Sequence, residues 1–334
     1  MPKFLSLLLV VLSCGVGSLT AVASSHGKMD QAIEAQLDHI LNQSNGPETL
    51  QQLQQLTAEL SEATPFLTRI RALNYLAIEY ARVRQFDAAW NVLNGVRELA
   101  DNSASADAIT ETEATALLLY TLQGKTSAAL THINTALLLS DDVTVPRIRY
   151  FAHSMAAFIY QHRSQFDAAL EHYIHAADAI STTHDSRTLI RLLATKQQIA
   201  SLYGQQKNYE LALEQLDDTE RLAIKNNLMD MFGHTLYLER AYVEVMRQNY
   251  DAALAHYDTL RTQLRQQPQH TAYYLTVLNN MGDVKIRTGR YEDAHEILTE
   301  AYELAQLHPQ LLNPEVILFN LSYVDIFLGH EEQG

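Results

Sequence analysis

Cysteine is almost absent from this chain: 334 residues contain one, Cys14. A single thiol forms no disulfide within the chain and no cysteine-based metal site. Proline (7) and glycine (12) are scarce too, so little interrupts helix formation. Basic residues are outnumbered, with 24 Lys and Arg against 39 Asp and Glu and a formal charge of −15. That balance argues against nucleic acid or an anionic membrane surface as the partner, because both are held by clustered Lys and Arg. Long apolar runs are missing after the first residues, so no later segment is expected to span a bilayer. A Gly-rich phosphate loop, a Gly-x-Ser-x-Gly elbow and a His-Glu-x-x-His pair are also missing. The expectation is a non-enzymatic protein with no cofactor and no metal.

The start of the chain reads as an export signal. Lys3 supplies a positive charge, Phe4 to Leu12 is apolar except for Ser6, and Ala21-Val22-Ala23 offers a small-x-small cleavage site. Cleavage after Ala23 would remove residues 1–23, and the loss of Lys3 takes the charge from −15 to −16. Val11-Leu12-Ser13-Cys14 leaves a second reading open, a lipoprotein anchored through Cys14. The expected location is therefore periplasmic, with a lipid-anchored form as the alternative.

What is abundant is repetition. The phrases Phe86-Asp-Ala-Ala89, Thr126-Ser-Ala-Ala129, Phe166-Asp-Ala-Ala169, Tyr209-Glu-Leu-Ala212, Tyr250-Asp-Ala-Ala253 and Tyr291-Glu-Asp-Ala294 end 40, 40, 43, 41 and 41 residues apart. A period of this size marks a stack of small units. Nine residues before the loop aromatic stands a small residue in most units (Ala77, Ala157, Ala200, Ala241, Gly282), and six before it stands Tyr80, Tyr120, Tyr160 or Tyr203. Offsets of three and four place these on one helical face. The small residue and the phrase-final alanine mark where two antiparallel helices approach closely, and the acid after the aromatic suits a helix N-terminus.

This grammar resembles the tetratricopeptide repeat, a helix-turn-helix unit, over about residues 66–330. The usual period is about 34 residues, so the longer spacing here implies longer helices or inter-unit loops. The resemblance implies an all-α, right-handed superhelical solenoid of about six to seven helix pairs that binds a protein or peptide along the groove formed by the first helices. Residues 24–65 are expected to form a degenerate helix pair ahead of it, with a plain turn at Asn45-Gly46-Pro47, and 331–334 a short tail. Leu321, Ser322 and Asp325 match the first helix of a seventh unit. Either that helix caps the stack or the chain belongs to something longer.

By the resemblance, the groove would be lined by Asn74, Ile78 and Leu118, by Ser154, Phe158 and Gln161, and by Gln197 and Ser201. It would continue through Leu238, Tyr242, Asn279 and Asp283 to Phe319 and Tyr323. This mixture of apolar anchors and hydrogen-bonding groups suits an extended peptide or a partner helix. The Lys/Asn/Arg set with which some family members hold a C-terminal carboxylate is not evident.

Two further patterns stand out. The tyrosine six before the loop becomes Glu244, Lys285 and Asp325, with Arg240 one turn before Glu244. If the units stack in register, these would form an alternating charge ladder, expected to be structural. His153, His162, His172 and His175 fall in one unit; His172 and His175 have ligand spacing, but local spacing supplies no third ligand. The overall expectation is an exported binding scaffold. The two-helix leader and roughly 40-residue units also resemble the extracytoplasmic sensor regions of bacterial diguanylate cyclases and histidine kinases. That implies an input module of a signalling system. The alternative is a periplasmic or lipid-anchored assembly factor for an envelope complex.

Overall fold

Helix follows helix through the whole described chain, as the scarcity of proline and glycine implies. The computed structural model describes residues 27–42, 47–182 and 185–329. The expected signal segment, Cys14, the turn at Asn45-Gly46 and the 331–334 tail lie outside them. Among the described residues there are fifteen α-helices and no strand. In chain order they are α1 (Gly27–Asn42), α2 (Pro47–Ala58), α3 (Phe66–Arg82), α4 (Phe86–Ser103), α5 (Ala106–Leu122), α6 (Thr126–Leu137), α7 (Pro146–His162) and α8 (Phe166–Ile180). Then come α9 (Ser186–Gln205), α10 (Tyr209–Lys225), α11 (Met229–Met246), α12 (Tyr250–Leu264), α13 (Thr271–Arg287), α14 (Tyr291–Leu307) and α15 (Pro314–Leu328). The protein is an all-α repeat solenoid.

Each repeated phrase begins the second helix of a pair, and the turn before it has one geometry. Two residues before the phrase the backbone is left-handed: Arg84 (φ 62°), Gly124 (72°), Ser164 (57°), Lys207 (63°), Gln248 (63°) and Gly289 (70°). The next amide N–H then donates to the carbonyl five residues back, as Gln85 does to Tyr80 (2.8 Å), Asn249 to Glu244 (2.8 Å) and Arg290 to Lys285 (2.9 Å). This satisfies a carbonyl that the helix end would leave orphaned. The six phrase-final alanines are all fully buried. At Gly282 the approach is so close that a Cβ would lie 2.4 Å from a methyl of Leu298.

The chain divides into two compact units, between Ile199 and Ala200. In the first, Leu37, Ile40, Leu50, Leu53 and Leu56 of α1 and α2 form a cluster with Ala72 and Leu76 of α3. The pairs α3–α4, α5–α6 and α7–α8 follow, and first helices pack on first helices. Ile78, Leu118, Met155 and Phe158 lie in the core so formed. In the second unit, Ala241 of α11, Tyr257 and Leu260 of α12, Leu278 and Met281 of α13 and Leu298 of α14 share one core with Ile317 and Leu321 of α15. The far side of α15 leaves Phe319, Tyr323, Ile326 and Phe327 exposed.

Candidate functional site

The open concavity with an aromatic lining lies in the second unit. Tyr242, Val245 and Met246 near the end of α11, Gln248 in the turn, Tyr250 and Tyr257 of α12, and Asn280, Asp283, Val284 and Arg287 of α13 surround a cleft of about 290 Å³. The repeat itself puts them there. Tyr242 and Asp283 stand eight residues before the loop aromatics Tyr250 and Tyr291, and Met246 and Arg287 four before them. Residues four apart on a helix share a face, and neighbouring first helices pack alongside, so the two faces join. The volume is at the lower end of the roughly 300–1,000 Å³ of ligand pockets.

The cleft offers both apolar and polar contacts. Tyr242 is 40% exposed and Met246 36%. Arg287 donates from Nε to Asp283 Oδ2 (2.7 Å) and is also bonded to Tyr250. Tyr257 is buried, and its phenol is pushed up to about 12, mainly by burial, with the Asn280 bond opposing and the charges of Asp283 and Glu239 adding to the rise. Burial, then the negative charge of Glu239, raises the Tyr242 phenol as well. Glu239 lies three residues before Tyr242, on the same side of α11. Burial alone pushes its carboxyl up to about 7.

A second hollow in this unit, about 400 Å³, is lined by Met229, Asp230, Gly233, His234, Tyr237, Gln263, Gln267 and His270. His234 and His270 meet edge to face at 4.8 Å. Its lining is largely polar, without the exposed apolar anchors of the first cleft.

The residues expected along the groove divide by unit. Tyr242 and Asp283 come together in the cleft. Asn279 is half-buried next to it, its Oδ1 accepting from Asn320 Nδ2 (3.3 Å). Ser201 is half-buried on α9, where Gln205 Nε2 donates to its Oγ (3.4 Å). Tyr323 is exposed on α15, its ring 4.9 Å from Phe327. In the first unit, Asn74, Ile78, Leu118, Ser154, Phe158, Gln161 and Gln197 are all buried. They are interior there, not an open lining: Ile78, Leu118 and Phe158 belong to the core packed between successive first helices.

What the first unit has instead is a narrow slot of about 30 Å³, bounded by Asn74, Tyr75, Ile78, Arg82, Glu111, Thr115, Arg147, Tyr150, Phe151 and Arg191. That is room for one or two waters. Its charges are paired, Arg147 with Glu111 and Arg82 with Glu79. Next to it Arg71 bridges Glu34 and Asp38. The sequence reading placed a charge network only in the second half. The overlooked signal was the appearance of Arg71 and Glu111 at one repeat position, fifteen before the loop.

The expected ladder of Glu244, Lys285 and Asp325 is replaced by separate pairs. Lys285 Nζ meets Asp293 Oδ2 at 2.7 Å, Glu244 pairs with Arg247 at 3.7 Å, and Asp325 lies 3.2 Å from His295. Arg240 is held by Asp217 (2.5 Å) and Glu220 (2.6 Å) of α10. Each charge finds a closer partner on its own helix or on a second helix than on the equivalent helix one repeat away. The histidines do gather: His153 and His172 share a hydrogen bond between their Nδ1 atoms (3.2 Å), and the His153 and His175 rings are 5.0 Å apart. Among the described residues no group of three or more His, Cys, Asp and Glu is arranged to hold a metal ion.

Comparison with known proteins agrees with this architecture. Residues 234–306, which include the cleft, match the tetratricopeptide repeat family model. A search of curated protein sequences finds no match. Among solved structures, the chain is similar to a signal transduction ATPase with a tetratricopeptide repeat sensor from Pyrococcus horikoshii, at 14% identity and a TM-score of 0.70. That match covers 92% of this chain and 45% of the ATPase, so the chain spans less than half of that protein's length. It is also similar to BtubC from P. vanneervenii, at 17% identity and a TM-score of 0.54, covering 67% and 91% of the two chains. The tetratricopeptide-like repeats of a putative kinesin light chain from Podosopora anserina match at 17% identity and a TM-score of 0.51, covering 60% and 97%. At these identities the likeness is one of fold: the chain has the fold of a tetratricopeptide-repeat solenoid, and residues 234–306 match that family's model.

Proposed function

We propose that the chain is a non-enzymatic scaffold that docks a protein segment or peptide in the cleft between α11 and α13. The observation that carries this reading is the cleft itself: an exposed tyrosine and methionine beside a fixed Asp283–Arg287 pair. That is the apolar anchor with polar rim by which a helical groove takes a short segment. The test is selection of random dodecamer peptides on the protein, followed by titration of the selected peptide against wild type and Tyr242→Ala. The expected result is at least tenfold weaker binding by the variant at unchanged helicity. Equal binding removes the cleft as the docking site.

We further propose that the chain is exported to the bacterial envelope and serves there as the input module of a signalling system. The signal-like residues Lys3, Phe4 to Leu12 and Ala21-Val22-Ala23 support export. The signalling role leans on fold analogy, since the repeats of the similar ATPase are described as its sensor. N-terminal sequencing of the protein from fractionated cells is expected to begin at Ser24, in the periplasm. An intact N-terminus in the cytoplasm contradicts export. Labelled palmitate on Cys14 would instead favour a lipid-anchored assembly factor.

A further inference from the structure

We propose that Glu239 receives a cationic side chain, lysine or arginine, from the docked segment. The inference rests on the cleft being the docking site and adds the chemistry of what enters it. Glu239 stands where the first helices of other repeats present uncharged side chains: Tyr75, Thr115, Met155, Gln198 and Asn280 all lie eleven before the first residue of their repeated phrase. Three of these line concavities, Tyr75 and Thr115 the slot of the first unit and Asn280 the cleft. The position therefore faces inward, and at this one repeat it holds an acid.

The acid has no cation of its own among the described residues. Its neighbours in sequence are committed elsewhere, Arg240 to Asp217 and Glu220, and Arg247 to Glu244. Arg287 is taken by Asp283. Burial is accordingly the sole influence on the Glu239 carboxyl. A partly buried carboxylate without a counter-charge is costly, and a fold usually pairs such a group. Glu239 borders the cleft without lining it: half-buried on α11, it stands one turn before Tyr242, which does line it.

A lysine or arginine fits the remaining surface. Its aliphatic stem would lie against Tyr242, one turn of α11 after Glu239, its charged head would reach Glu239, and the Tyr242 ring offers a face to a cation. A neutral apolar side chain would fill the space and leave the acid uncompensated. An acidic one would meet both Glu239 and Asp283 and be rejected.

The peptides selected from the dodecamer library decide the matter. They are expected to share a lysine or arginine. Replacing that residue by norleucine in the synthetic peptide, or Glu239→Gln in the protein, should each weaken binding at least tenfold, and the two changes together should cost little more than either alone. Peptides that need Tyr242 but carry no shared cation, or that bind Glu239→Gln as tightly as wild type, overturn this inference and leave the docking site standing. Peptides indifferent to both Tyr242→Ala and Glu239→Gln overturn both. Glu239→Asp is the second variant: a charge requirement predicts partial retention of binding in Asp and loss in Gln, whereas a requirement for bulk alone predicts loss in Asp and none in Gln.

Discussion

Glu239 brings a cost to the free protein that can be read as a pH dependence. Its folded pKa, about 7, lies above the ordinary glutamate value of 4.5. Between those values the folded state holds the proton and the unfolded state has lost it, so stability falls as pH rises through that window. Glu239→Gln should therefore raise stability at pH 8 by on the order of 1–2 kcal/mol, discounted for partial exposure, and change little at pH 4.5. Equal effects at both pH values in chemical denaturation would contradict this. His153 works in the opposite direction. Burial first, then the nearby His172, His175 and Arg149, with Asp141 opposing, lower its pKa from 6.5 to about 4. The stability it permits is complete above about pH 6.5 and is lost as pH falls towards 4, because the unfolded chain protonates first. His153→Gln should flatten the acid side of the stability profile between pH 6.5 and 4; an unchanged slope in pH-resolved melting would refute that. At this scale the sequence was partly readable. Tyr242 and Asp283 could be placed because the repeat frame assigns their positions a face. Glu239 is not legible in the sequence because eleven before the loop no residue type recurs, whereas Glu244 stands out where a tyrosine is replaced.

The helix pair has its own signature in the turn. Four of the six left-handed turn residues are Arg84, Ser164, Lys207 and Gln248; the other two are Gly124 and Gly289. A Cβ on Gly289 would touch nothing within 4 Å, so Gly289→Ala isolates backbone strain and should cost about 1 kcal/mol. Gln248→Gly should move stability the other way by a similar or smaller amount. A thermal shift of the same sign for both would contradict the shared geometry. Gly282 is a different case, since its constraint is the Leu298 side chain at 2.4 Å. Gly282→Ala should destabilise by about 1–3 kcal/mol, and in Leu298→Ala the same change should cost less, because the space has been vacated. Strict additivity in that double-mutant cycle would dispose of the close approach. These elements were the most legible part of the chain. The small residues at 77, 157, 200, 241 and 282 and the phrase-final alanines mark one contact that overpacking would break. The pairing of charges was not legible, since Lys285 turns to Asp293 in the first turn of α14 and Arg240 to α10, and periodicity names no partner outside its own row.

The molecule as a whole is a repeat protein of two compact units, and repetition does not make all its positions equivalent. The same groove positions are buried in the first unit and open around Tyr242 and Asp283 in the second. Nothing in the phrase spacing announces that change. In the first unit Ile78, Leu118 and Phe158 are buried in the core between successive first helices, whereas Tyr242, Met246 and Asp283 border an open cleft. The fold was legible because its rule recurs six times; the site was not, because it is where the filling of that rule changes. Amide hydrogen exchange of the full chain, with and without a library-selected peptide, tests the docking site most directly. The account predicts added protection confined to the ends of α11 and α13 and the start of α12, around residues 239–257 and 280–287. Protection centred on any other helices, with those segments unchanged, would contradict it.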